Sequence, residues 1–116
     1  MNQQEKLVQR VVEAKDHGGR QFKHFTNNFY TMKAAIRYFS VKQGKSFNSS
    51  KVSDNFPITI PEAGSALNIL EQLDVVESRS SSSSPDVYMP RKVDMDKLER
   101  VEEVLLESYE IEEFKN

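Results

Sequence analysis

Whatever chemistry this chain does, it does with few reactive side chains. It holds no cysteine and two histidines, His17 and His24. Without thiols there is no disulfide, no thiolate metal site and no thiol nucleophile. Two imidazoles in polar surroundings fall short of the donor set a zinc centre takes. Carboxylates stand side by side at Glu102-Glu103 and elsewhere in the last stretch, on a helical face that reads as solvated. No phosphate-binding glycine loop, nucleophile elbow, dinucleotide-binding glycine pattern or zincin histidine pair occurs. The expectation is a protein that is not an enzyme and needs no cofactor or metal.

Charge carries more information. Residues 1–58 hold ten Lys/Arg against four acids, a net +6, whereas residues 59–116 hold six against fourteen, a net −8. Such asymmetry hints at a partner for the basic part and a solvated or partner-facing acidic part. Solvated helix faces account for the same charges without a partner. The 116 residues suit one domain with a real core plus accessory helices. No apolar run reaches the roughly 18 residues of a membrane span, and the first residues lack a signal peptide's apolar centre. A cytoplasmic protein with no membrane partner is expected.

The elements follow from periodicity. Residues 3–16 read as a helix with Leu7, Val8, Val11 and Val12 on one face, stopped by Gly18-Gly19. Phe22, Phe25 and Phe29 recur at helical spacing, a buried stripe rather than a stacking platform for bases. Thr31 is a cap for a continuation in which Met32, Ala35, Ile36 and Phe39 face inward, up to Gly44. One kinked helix and two helices both fit, with Asn27-Asn28 at the interruption. Lys45-Ser46-Phe47 reads as a short strand, and Asn48, Ser49 or Ser50 as the cap of a short helix to about Asp54. Pro57 bars its extension. Thr59 caps the next helix, Pro61 suits its first turn, and Ala63, Ala66, Leu67, Leu70 and Leu73 form its stripe. Asp74 ends it. Val75-Val76-Glu77 reads as a strand, Ser80–Ser84 with Pro85 as a polar tip, and Val87–Met89 as the returning strand.

Helix, strand, tip and strand together resemble the second half of a winged helix-turn-helix domain. Ala66-Leu67, Leu70-Glu71, Leu73, Val75-Val76-Glu77 and Arg79 carry the resemblance. They follow a run common after the recognition helix of MarR- and PadR-like regulators, with Asp74 where those usually have glycine. The fold expected is mainly α with a small β-hairpin wing (α+β), a winged helix-turn-helix with extra N-terminal and C-terminal helices. Residues 1–20 would be the N-terminal helix, 21–92 the core and 93–116 a dimerisation helix.

The resemblance implies a sequence-specific, double-stranded-DNA-binding transcriptional regulator acting as a homodimer. The helix at about 59–73 would enter the major groove and the wing 78–88 would lie on the backbone. Thr59, Glu62, Ser65, Asn68 and Gln72 would then face outward towards the bases, since asparagine and glutamine bond adenine bidentately and hydroxyls suit any base. Lys45, Ser49, Ser50, Lys51, Arg79, Ser81, Arg91 and Lys92 would hold phosphates. The recognition helix has no Lys or Arg and carries Glu62, so binding would be modest and salt-sensitive. From Asp94 to Phe114 a further periodic segment sets Leu98, Val101, Leu105 and Tyr109 in a stripe, expected to pair with a second copy. Packing of that helix back on its own domain is the competing arrangement. A winged-helix module that binds protein instead of DNA is the competing function.

Overall fold

Capping residues set the helix boundaries. The computed structural model describes residues 2–81 and 84–108, with backbone alone at 80, 81 and 84–86. Helix α1 is Gln3–His17, where the Asn2 side chain accepts the Glu5 N–H at 2.8 Å. Two helices follow rather than one bent one: α2 is Gly19–Asn27 and α3 is Phe29–Arg37. Asn28 makes the break, leaving helical geometry at φ −122° and ψ 24°. Its amide donates to the His24 carbonyl at 2.9 Å, closing the end of α2. Thr31 therefore lies inside α3 rather than at its N-cap, which is Asn28. A π-helical segment, Tyr38–Gln43, continues α3 until Gly44 turns left-handed at φ 61°.

Phe47 is the expected first strand reduced to one bridge. Its N–H donates to the Tyr88 carbonyl at 3.1 Å, and the Tyr88 N–H returns to Phe47 at 2.7 Å. Helix α4 is Ser49–Asn55, capped by Asn48. Helix α5 is Ile60–Gln72. The antiparallel strands β1 (Ser78–Ser81) and β2 (Ser84–Tyr88) form the hairpin. A 3-10 turn at Pro90–Lys92 leads into α6, Met95–Glu107, whose cap is Asp94.

The strand expected at Val75-Val76-Glu77 starts three residues later. Val75 and Val76 are buried core residues, and the backbone there is cross-linked outside the hairpin ladder instead. The Asp94 N–H donates to Val75 at 2.8 Å, and the Met89 N–H to Glu77 at 3.1 Å. The serine run is less of a free tip than its composition suggested: Ser81 pairs with Ser84. Ladder bonds need only backbone groups, so a solvated hairpin can be built from serines. What remains of the tip, residues 82–83, lies outside the described residues.

One hydrophobic cluster joins all six helices to the bridge. Phe22, Phe25 and Phe29 meet edge to face at centroid distances of 5.8 and 5.5 Å, confirming them as core. Phe47 stacks between Phe39 and Tyr88 at 5.6 and 5.8 Å. Helix α1 buries Leu7, Val11 and Ala14, whereas Val8 and Val12, expected on the same stripe, are 40% and 51% exposed. The apolar face is set by a 7-11-14 spacing, which alanine completes.

Helix α6 corrects the residues expected at a dimer interface. Leu98, Val101 and Leu105 are 1%, 0% and 0% exposed within the single chain. Their stripe is already covered by the chain's own core, so it cannot also be the free face that receives a second copy. Polar bonds fix α6 to α3 beside it: Lys33 pairs with Glu102 and, at 3.0 Å, with Glu99, while the Tyr30 hydroxyl donates to Glu102 at 2.8 Å. Burial opposes the charge on Lys33, but the two carboxylates outweigh it and hold its pKa above the usual lysine value. Tyr109, the last residue assigned to that interface, lies outside the described residues. No helix among the described residues is long and apolar enough to cross a membrane.

Candidate nucleic-acid interface

Helix α5 is placed by two neighbours and its own cap. The Thr59 hydroxyl accepts the Glu62 N–H at 3.2 Å, and the Glu62 carboxylate accepts the Thr59 N–H at 3.1 Å, a complete capping box. Pro61 sits in the first turn, as its missing N–H allows. Ala63, Ala66, Leu67, Ile69 and Leu70 are fully buried. Helix α4 crosses one flank, where a Cβ built on Gly64 would lie 3.9 Å from Ser49 Cβ. Thus Ser49 is drawn to α5, whereas Ser50 stays exposed.

Helix α2 runs along the other flank in three polar rungs. The Asn68 amide donates to Gln21 Oε1 at 2.8 Å, Ser65 Oγ lies 3.3 Å from His24 Nδ1, and the Asn28 amide donates to Glu62 at 3.3 Å. Gln21 and His24 on α2, with Asn28 at its end, thus meet Asn68, Ser65 and Glu62 on α5 in antiparallel order. Four of the expected base-facing positions are therefore engaged within the chain. Thr59 and Glu62 are spent on the cap, and Ser65 and Asn68 are half-buried against α2. They lie at the rim of the open face of α5, beside the exposed Pro61 and Gln72.

The rungs leave defined groups for a partner. With its amide committed to Gln21, Asn68 keeps Oδ1 as an acceptor, and Gln21 keeps its own NH₂ as a donor. An acceptor beside a donor is the pattern that complements the major-groove edge of adenine. Gln21 had no signal in the sequence, because it is brought to Asn68 from 47 positions away. His24 and Asn28 were hidden for the same reason. Arg20 and Lys23 stand on the exposed side of α2, adding cations that the sequence placed in a core segment.

Glu62, expected to repel phosphates, has a structural task. The Thr59 hydroxyl and N–H, aided by Asn28 and the charge on His24, hold its pKa below the ordinary carboxylate value against the opposing effect of burial.

The expected phosphate anchors divide. Lys45 is exposed between Gly44 and the Phe47 bridge. Lys51 is exposed on α4, its ammonium donating back to the Ser46 carbonyl at 3.3 Å. Arg79 is exposed on β1 opposite Val87. Arg91 and Lys92 are exposed in the 3-10 turn, which packs on the π-helical segment. The Ser81 side chain lies outside what the structure describes. Comparison with protein-family models, curated proteins and solved structures finds no match for this chain.

Proposed function

We propose that the chain is a double-stranded-DNA-binding protein of the winged helix-turn-helix kind, acting in transcriptional regulation. One observation carries this reading. The order α4, turn, α5, hairpin is closed by the Phe47–Tyr88 bridge, so that the chain before α4 lies beside β2 and β2 beside β1. That arrangement sets a short helix against a capped second helix, with a hairpin after them. The open face of α5, with Gln72, the acceptor of Asn68 and the donor of Gln21, is the base-reading surface. Arg20, Lys23, Lys45 and Lys51 flank it as phosphate contacts, and Arg79 extends the contact along the hairpin.

The electrostatics agree in scale. Most of the cations lie in residues 1–58, while half of the acids fall from Asp94, the cap of α6, onward. Cations on flanking elements, with none on the reading helix, give an affinity that falls with salt and a specificity resting on few base contacts.

The test is selection from a random-sequence DNA pool at low and moderate salt, followed by binding measurements on the enriched site. An enriched motif is expected, with affinity falling as salt rises. Gln21→Ala and Asn68→Ala should each weaken binding to that motif about tenfold while leaving nonspecific binding nearly unchanged. No enrichment and no binding at low salt would overturn the reading and turn the search to protein partners.

A further inference from the structure

A second feature lies on α1 and α6. A cleft of about 440 Å³ opens between α1, the end of α5 and the first turns of α6. Its floor is apolar, from Leu7 and Leu73, which are 6% and 1% exposed. Four cations stand around it: Lys6 and Arg10 from α1, Lys97 and Arg100 from α6. Positions 6 and 10 share one helical face, as do 97 and 100.

The two acids at the cleft are both engaged. Asp74 pairs with Arg10, and Asp94 accepts the Lys97 N–H at 2.9 Å as the cap of α6. The side chains of Lys6, Lys97 and Arg100 form no ion pair or hydrogen bond among the described residues. Two packed helices thus converge four positive groups on an apolar-floored hollow with two acids to answer them. Like charges gathered around one hollow repel, and an anion between them relieves that repulsion. Lys97 and Arg100 are half-buried, so that repulsion is less screened than on an open surface.

We propose that this cleft binds a small organic polyanion, with phosphate or carboxylate groups held by Lys6, Arg10, Lys97 and Arg100 and an apolar portion against Leu7 and Leu73. The fork of a guanidinium suits either oxyanion, and the ammonium groups add charge without directional demand. The volume fits a small metabolite and excludes a macromolecule from the interior. Because Arg10 also holds Asp74, occupancy is felt at the residue that ends α5. This site stands apart from DNA binding, and its test uses no DNA.

The full chain is titrated separately with pyrophosphate and with citrate at constant ionic strength, followed by amide NMR spectra. Saturable shifts are expected at Lys6, Arg10, Asp74, Lys97 and Arg100. The double variant Lys97→Gln/Arg100→Gln should weaken binding about tenfold or more, the loss of two charge-assisted contacts. Arg37→Gln/Lys42→Gln removes the same charges elsewhere and should change affinity by less than roughly twofold. Tighter binding of pyrophosphate marks a phosphate site, and tighter binding of citrate marks a carboxylate site. The proposal is overturned if neither anion gives saturable shifts, or if the Arg37/Lys42 variant loses as much as the cleft variant.

Discussion

At the scale of single residues, Asp74 and Glu62 mark the two ends of α5, one through its backbone angle and the other through its carboxylate. Asp74 lies at φ 60°, the left-handed region that closes a helix and that glycine enters freely. Its ion pair with Arg10 is more than half exposed at both side chains, so it adds little to stability. Asp74→Ala keeps the strained geometry, whereas Asp74→Gly removes the strain, and both lose the pair with Arg10. The glycine variant should be about 1 kcal/mol more stable than the alanine variant in urea unfolding; equal stabilities would show that the turn relaxes. Glu62 reports through pH. Its native carboxyl takes a proton less readily than the unfolded one, so it stabilises above the ordinary value of 4.5. That contribution disappears as pH falls below it through the native value. Glu62→Gln keeps an acceptor for the Thr59 N–H and should lose less stability than wild type between neutral pH and pH values under 4.5. An unchanged acid slope would remove Glu62 from that account.

Among the elements, α6 shows what a sequence can and cannot reveal. Its periodicity made Leu98, Val101 and Leu105 a stripe, but a stripe says only that a face is covered, not by what. The chain's own core covers it. Leu98→Ala or Leu105→Ala should therefore cost about 2–5 kcal/mol of unfolding free energy with unchanged mass by light scattering. A variant of lower mass and undiminished stability would restore the interface between copies. The cap at Thr59, the first-turn Pro61, the aromatic stripe and the stop at Asp74 were legible because each depends on residues within a turn of one another. The rungs from Gln21, His24 and Asn28 to α5 were not, since no local pattern records which polar face meets which. For the same reason Ser65 and Asn68 read as free side chains and proved to be tethered ones. The hairpin was legible as a hairpin but not in its register: the core needed Val75 and Val76, and pairing moved on to serines.

For the whole molecule, the distant ends of the chain are bound into one unit. Arg10 reaches Asp74, Lys33 reaches Glu102, and the hydrophobic cluster runs from Leu7 to Leu105. The charge division along the sequence is thus not a division between separate bodies. The basic first half supplies the flank of α5 and one wall of the polyanion cleft, and α6 supplies the opposing wall. The Phe47–Tyr88 bridge has a consequence in time as well as space. During synthesis α4 and α5 are complete before Tyr88 is made, so Phe47 waits for its pairing partner until the hairpin is finished. Closing that long loop carries an entropy that local helix formation does not. Helices α4 and α5 pack directly on each other, so what the bridge adds late is the tie between them and the hairpin, and a nascent fragment ending before Tyr88 would carry the helices without that tie.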